Sequence, residues 1–458
     1  MYISEISAAD PRCLGKTDSE TLQKAVDLAA GTGIGKVVIP RMNPRTGEPV
    51  WIIDKTIYLP SDTTIILDNC HLRLEDDVRE NIFRNSKAFT AEGNTLEGEE
   101  HDVRIIGIGN AVLDGGKPNG LCEQLHRDDP EKYPNMNVNL LIFMHNVRNF
   151  EVRGIKFIES RWWAVCFMFC RWGIIADLDF RMYGTLENQD GVDLRIGCEY
   201  ITIENITGIT GDDTVALTAL PREMTFEGLL YVKGKSFDIH DITIRNIMSS
   251  THGCGIVRLL CEDGAREYNI TITDLKDTGE TIAGSAVLIG TNDKFLMKHP
   301  HEMGDFKNII IRNVTTTAQR GLSIYEPVQN MVVENLTVYG CNEVGLRFGE
   351  NFAGKNVRIK DFTFDTDPET ADSVFCFRGG TPDLGDVEIS RVRARSAKYV
   401  FRGREIKVDD FVYEDPSEGY FTPESSKLKS AYGRYHKFAY GKLIDNRPDD
   451  SRFKNEKK

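Results

Sequence analysis

The chain lacks a long apolar run: no stretch reaches the ~18 residues that a membrane span needs. Its opening, MYISEISAADPRCLGKTDSE, has no basic segment followed by an apolar one, so no secretory signal is read there. The expectation is a cytoplasmic protein. Basic residues are in deficit, 56 Lys and Arg against 70 Asp and Glu, for a net charge of −14. That balance excludes a general affinity for nucleic acid or anionic membrane. Locally clustered arginines remain able to hold an anionic sugar. The ten cysteines include no CxxC, and Cys166 and Cys170 are the one close pair. With no sign of export they read as reduced, buried thiols, and neither a metal site nor a cofactor is expected.

Repetition fills most of the chain. Segments of the form apolar–x–Asn/Asp/Gly–apolar recur: IIGI from Ile105, VRGI from Val152, IADL from Ile175, IENI from Ile203, IRNI from Ile244, ITDL from Ile272, IRNV from Ile311, VENL from Val333, IKDF from Ile359 and, more loosely, ISRV from Ile389. Most intervals are 22 to 30 residues, with longer ones of 47, 41 and 39. Each segment alternates with period two and reads as a strand. A second strand follows most of them: AVCFMF, VDLRI, TVALTAL, IVRLL, AVLIG, LSIYE, VGLRF and VFCFRG. One such coil cannot bury its own apolar face, whereas stacked coils bury a continuous core. The fold class predicted is all-β, a right-handed parallel β-helix of about ten coils with an N-terminal capping helix. A leucine-rich horseshoe would need LxxLxLxxN spacing, which is absent.

One domain over 1–458 is expected, with a cap over about 1–40, coils over about 41–413 and a polar tail over about 414–458. In the cap, Thr17 and Glu20 form a T-x-x-E capping box. Leu22, Ala25, Val26 and Ala29 give an apolar stripe, and Gly31 and Gly33 end the helix. The long intervals mark insertions at 115–140, 220–240 and 291–306, where function is expected on a rigid repeat scaffold.

NQDGVD and GDDTVAL each precede a strand of the second column. Asp190 and Asp213 lie 23 residues apart, about one coil, so they are expected one above the other. His252, in THGCGIVRLL, precedes the next strand of that column. Stacking like charges is unfavourable unless a proton, cation or substrate is shared, and it raises at least one pKa. Asp-Gly before a strand is also ordinary turn chemistry, and such a cluster can hold calcium. Both readings stand behind catalysis. Alternation turns Arg195, Thr218, Arg258, Tyr325, Arg347 and Arg378 outward.

NQD, GDD and THG, in that order and spacing, resemble the N-x-D, G/Q-D-D and G-H-G motifs of the polygalacturonase-like glycoside hydrolases, family 28. WWAVCFMFCRWGIIADLDF resembles the coil before the first motif, and the opening DSETLQKAVDLAAGTGIGKVVIP resembles the cap of pectin-active β-helices. The resemblance implies an inverting hydrolysis, with Asp212 as general acid, Asp190 and Asp213 holding the attacking water, and His252 tuning or orienting the acid. Acetal hydrolysis of this kind needs one protonated and one ionised carboxyl. Asn188, Trp163, Arg258, Tyr325 and Arg347 are candidates for binding the sugar. Where the family has R-I-K, this chain reads AVLIGT, with Leu288 and Gly290 at the two basic positions. The resemblance makes those cations the partners of a substrate carboxylate, so their absence argues against galacturonan. Arg258, one coil from the aspartate pair, is the candidate replacement.

The leading expectation is a glycosidase, exo-acting on an imported pectin-related or other oligosaccharide. A β-helix lyase or epimerase acting on a uronate is the alternative, kept by Arg258, Tyr325 and His252. A non-catalytic carbohydrate-binding β-helix would not need the aspartates. The oligosaccharide is the one partner expected; a homo-oligomer is left open.

Overall fold

The structure, a computed structural model, describes residues 4–421 apart from 122–124, 126–128, 130–138, 185, 187, 222–229, 263, 292–300, 341–342, 367–369, 378–382, 396, 398, 403–407 and 416–418. The protein has the parallel β-helix architecture, and the chain falls into two compact units, Met1–Thr243 and Ile244–Lys458. The predicted insertions at 115–140, 220–240 and 291–306 are described only in part, and Arg378 and most of the tail lie outside the described residues.

The first unit opens with helix Asp18–Gly31. Thr17 caps it, its side chain accepting from the Glu20 amide at 3.2 Å. Glu20 Oε2 accepts from the Lys16 amide at 2.8 Å, so the return half of the capping box reaches one residue further back than predicted. Leu22, Ala25, Val26 and Ala29 are all buried, as their stripe requires. Gly33, at φ +70°, takes the left-handed turn that follows the helix.

The recurring segments then stack in register. Ile105, Val152, Ile175 and Ile203 are successive partners in parallel strands. Val165, Val192 and Val215 do the same in the second column. The second unit repeats the pattern with Ile272, Ile311, Val333, Ile359 and Ile389. Its second column stacks Val287, Leu322, Leu346, Phe375 and Phe401. All of these are buried. Stacked rings extend the column, with Phe375 and Phe401 5.4 Å apart and 13° from parallel.

The polar residue of the recurring segment has a backbone task. Asp177, Asn205, Asp274, Asn313, Asn335 and Asp361 all have φ between 55° and 58°. The left-handed region turns the chain between two strands of a coil, and Asn and Asp tolerate it better than other non-glycine residues. Their side chains also bond from coil to coil: Asn205 Nδ2 donates to Asp177 Oδ1 at 2.8 Å, Asn313 to Asp274 at 2.9 Å, and Asn335 to Asn313 at 3.0 Å. The motif therefore marks corners as well as strands.

Among the described residues the cysteines are free thiols, and all but Cys254 are buried. Burial pushes the Cys170 thiol up to about 12.

Asn335→Ala should lower stability by about 1–2 kcal/mol, the cost of a left-handed residue without a tolerant side chain. Asn335→Gly should cost less. Urea denaturation of the two variants checks this; equal losses would mean that the amide bond, not the backbone, sets the cost.

Candidate active site

Two short turns of the first unit carry the aspartates. Asp190 lies two residues ahead of strand Val192–Arg195, and Asp213 two residues ahead of strand Val215–Ala219. The strands pair with Val192 opposite Val215. Backbone bonds carry the register past their ends: the Gly191 amide donates to Asp213 O at 2.9 Å, and the Val192 amide to Thr214 O at 3.0 Å. A Cβ on Gly191 would stand 2.5 Å from Thr214 O, so the coils approach this closely only with glycine there. Gln189 O accepts from the amides of Gly211 and Asp212, at 2.9 and 3.2 Å. Asp190 thus sits over Asp213, as the 23-residue spacing predicts.

Asp190 is 4% exposed and Asp213 2%, whereas Asp212 is half-buried. Burial, then the charges of Asp193, Asp212 and Asp213, push the Asp190 carboxyl well above its ordinary value of 3.8; Arg195 opposes them. Its Oδ1 has no hydrogen-bond partner among the described residues, and neither do Asn188 Oδ1, Gln189 Oε1 and Trp162 Nε1. Unmatched buried polar atoms are costly.

Asp193 and Arg195 complete the cluster. Alternation along Val192–Arg195 turns both away from the core strands' apolar side. Asp193 is fully buried and lies 3.7 Å from Arg195 Nη1. The Arg195 guanidinium lies 4.3 Å from the centre of the Trp163 ring. Sequence reading turned Arg195 outward but gave neither residue a place in the site. The signal was the second aspartate of NQDGVD, two positions from Asp190's glycine and on the face of Arg195.

Trp163 is 7% exposed and packs with Trp162, Cys166, Met168, Leu230 and Val232. With Arg195 over its face, it supports a cation rather than offering the open sugar platform expected. Asn188 is half-buried at φ 57° in the turn before Asp190.

His252, Arg258, Tyr325 and Arg347 belong to the second unit. His252 is exposed, just beyond strand Ile239–Thr251. Arg258 is part-buried on strand Gly255–Cys261 and pairs with Leu288 in the next coil. Tyr325 is 8% exposed and lies one residue past strand Arg320–Ile324; Ser323 occupies the register position of Leu288 and Arg347. Gly290, at the other expected cation position, backs onto an acid: its Cβ would stand 2.3 Å from Glu326 Cγ. Glu326 is fully buried and paired with His301 Nδ1 at 3.1 Å.

The raised Asp190 pKa makes stability pH-dependent. A carboxyl whose folded pKa exceeds its unfolded value contributes fully below about 4 and loses that contribution as pH rises through the folded value. Asp190→Asn, which copies the neutral acid, should match wild-type stability near pH 4 and exceed it increasingly towards pH 8. Urea midpoints at pH 4, 6 and 8 check this; a constant difference would refute the burial of a neutral acid.

Residues 52–236, less than half of the chain, match the family described as Glycosyl hydrolases family 28. No curated protein matches. Solved structures do. An exopolygalacturonase of Thermotoga maritima aligns with TM-score 0.50 at 16% identity, over 91% of this chain and 94% of that one. The polygalacturonase of Erwinia carotovora ssp. carotovora aligns with TM-score 0.52 at 18% identity, over 86% and 94%. The A-module of the mannuronan C-5 epimerase AlgE6 of Azotobacter vinelandii aligns with TM-score 0.61 at 13% identity, over 90% and 100%. At these identities the structures show a shared parallel β-helix fold. The aspartate cluster lies inside the stretch matched by the family, and over that stretch the chain is similar to the glycosyl hydrolases of family 28.

Proposed function

We propose that the protein is an inverting, exo-acting glycoside hydrolase that cleaves a short glycan at the aspartate cluster. The observation that carries this is the stacked carboxyl cluster: burial, then the charges of Asp193, Asp212 and Asp213, raise the Asp190 carboxyl well above its ordinary value. Carboxyls whose environments push their pKa values apart supply the acid and the base that acetal hydrolysis needs. Asp212 is the half-buried member of the trio and is the general acid in this reading, facing the leaving glycosidic oxygen. Asp213, with Asp190, holds the attacking water. The raised Asp190 carboxyl acts as a base only where the substrate relieves that upward push. The unmatched polar atoms of Trp162, Asn188 and Gln189 suit sugar hydroxyls, which both donate and accept. Exo-action is proposed from the insertions at 115–140 and 220–240, long enough to close one end of a groove.

Asp212→Asn should keep the fold and lower turnover by ~10²–10⁴-fold, the usual contribution of a general acid. A new reducing end is the product to measure. Turnover within a few-fold of wild type would remove Asp212 from the role, and an unsaturated, ultraviolet-absorbing product would replace the hydrolase by the lyase.

Polygalacturonate should be a poor substrate beside short neutral oligosaccharides. A uronate carboxylate at the family's cation positions would meet Leu288 and the region of buried Glu326, where Arg258, in register with Leu288 on the adjoining coil, would have to replace the missing cations. Initial rates on polygalacturonate, digalacturonate and neutral oligosaccharides decide this, and efficient cleavage of polygalacturonate would overturn it.

A further inference from the structure

We propose that Arg347, with Glu343, Asp372 and Arg402 around it, forms a binding site in the second unit for a saccharide that carries a carboxylate. Leu288, Ser323, Arg347, Cys376 and Arg402 stand in register on successive strands. Their strand neighbours Leu322, Leu346, Phe348 and Phe375 are core, so this row faces outward. Glu343, Arg347, Asp372, Cys376 and Arg402 line one small pocket there.

The two arginines differ. Arg402 Nη1 donates to Asp372 Oδ2 at 2.7 Å. Arg347 is 4% exposed, and its buried Nε has no acceptor among the described residues. Its ion pair, to Glu343 Oε2, is 3.6 Å long, beyond hydrogen-bond reach. Glu343 is 46% exposed, so water screens that attraction. A buried guanidinium left in this condition is costly. The backbone nevertheless fixes its surroundings: the Glu343 amide donates to Gln319 O at 2.9 Å, and the Asp372 amide to Glu343 O at 2.8 Å. The pocket is built, and one of its donors lacks a partner among the described residues.

The chemistry of the lining selects the ligand. A guanidinium only donates, and its planar fork fits a carboxylate at two points. Ionised Glu343 and Asp372 only accept, so they suit hydroxyl donors. A molecule with one carboxylate and several hydroxyls, an acidic sugar, satisfies both. A phosphate would bring additional negative charge against the same two acids. That the ligand is a sugar rests on the glycosidase reading; that it carries a carboxylate rests on Arg347.

The test is calorimetric titration of the full chain carrying Asp212→Asn, which silences turnover, with digalacturonate and with its dimethyl ester. Adding Arg347→Ala should weaken digalacturonate at least tenfold and bring it to the level of the ester, and Arg347→Lys should recover part of the loss. An unchanged affinity, or no measurable binding of digalacturonate by the parent, overturns the site. Equal weakening of acid and ester overturns the carboxylate contact. Thermal melting separates a structural role: Arg347→Met should not lower Tm in the absence of sugar, and a fall of several degrees would make Arg347 a folding residue. Because binding is read without turnover, a parent that hydrolyses no glycan but binds through Arg347 would refute the proposed activity and leave this site standing.

Discussion

Parallel pairing of one coil on the next, at about 4.8 Å, is the constraint on which the remaining structure depends. It places each side chain over its counterpart one turn earlier. Inside, that stacks isoleucine on isoleucine and phenylalanine on phenylalanine, and the apolar column forms without helices. At the corners it stacks amides, which then bond to one another. Wherever the sequence repeats a charge at one coil's spacing, the same geometry brings like charges together.

The aspartate cluster is that geometry applied to charged side chains. The register that sets Val192 over Val215 also sets Asp190 over Asp213, and Asp193 lies buried two strand positions away from the intervening glycine. Burial, then the charges of its acidic neighbours, raise the Asp190 carboxyl well above its ordinary value.

Much of this was legible in the chain. The apolar–x–Asn–apolar segments fixed both the strands and their alignment, because one residue type serves the corner and its neighbours serve the core. Thr17 and the Leu22–Ala25–Val26–Ala29 stripe were readable for similar reasons: a cap and a period are local. The depth of Asp193 and the closing of Trp163 were not. Both depend on what covers the outward face of the second column, and Leu230 and Val232 reach it from far along the chain. Alternation says which way a side chain points and nothing about a loop that later covers it. Likewise the absence of cations at Leu288 and Gly290 could be read directly, but Glu326 behind Gly290 comes from the following coil.

The corner amides carry a direction. Asn313 donates back to Asp274, Asn335 donates back to Asn313, and Asn308, Asn330 and Asn356 donate back in turn from Asn269 onward. A carboxylate can receive such a bond but cannot pass one on. Aspartate accordingly stands at the first rung, as Asp177 and Asp274 do. Asp361 follows Asn335 and ends that run, and Arg391 donates to it at 2.6 Å. The edge of the coil stack is therefore a one-way chain of dipoles. Slow deamidation would act on it unevenly, harmless at a first rung and severing at an interior one, so the protein's chemical ageing is written into the order of its corners.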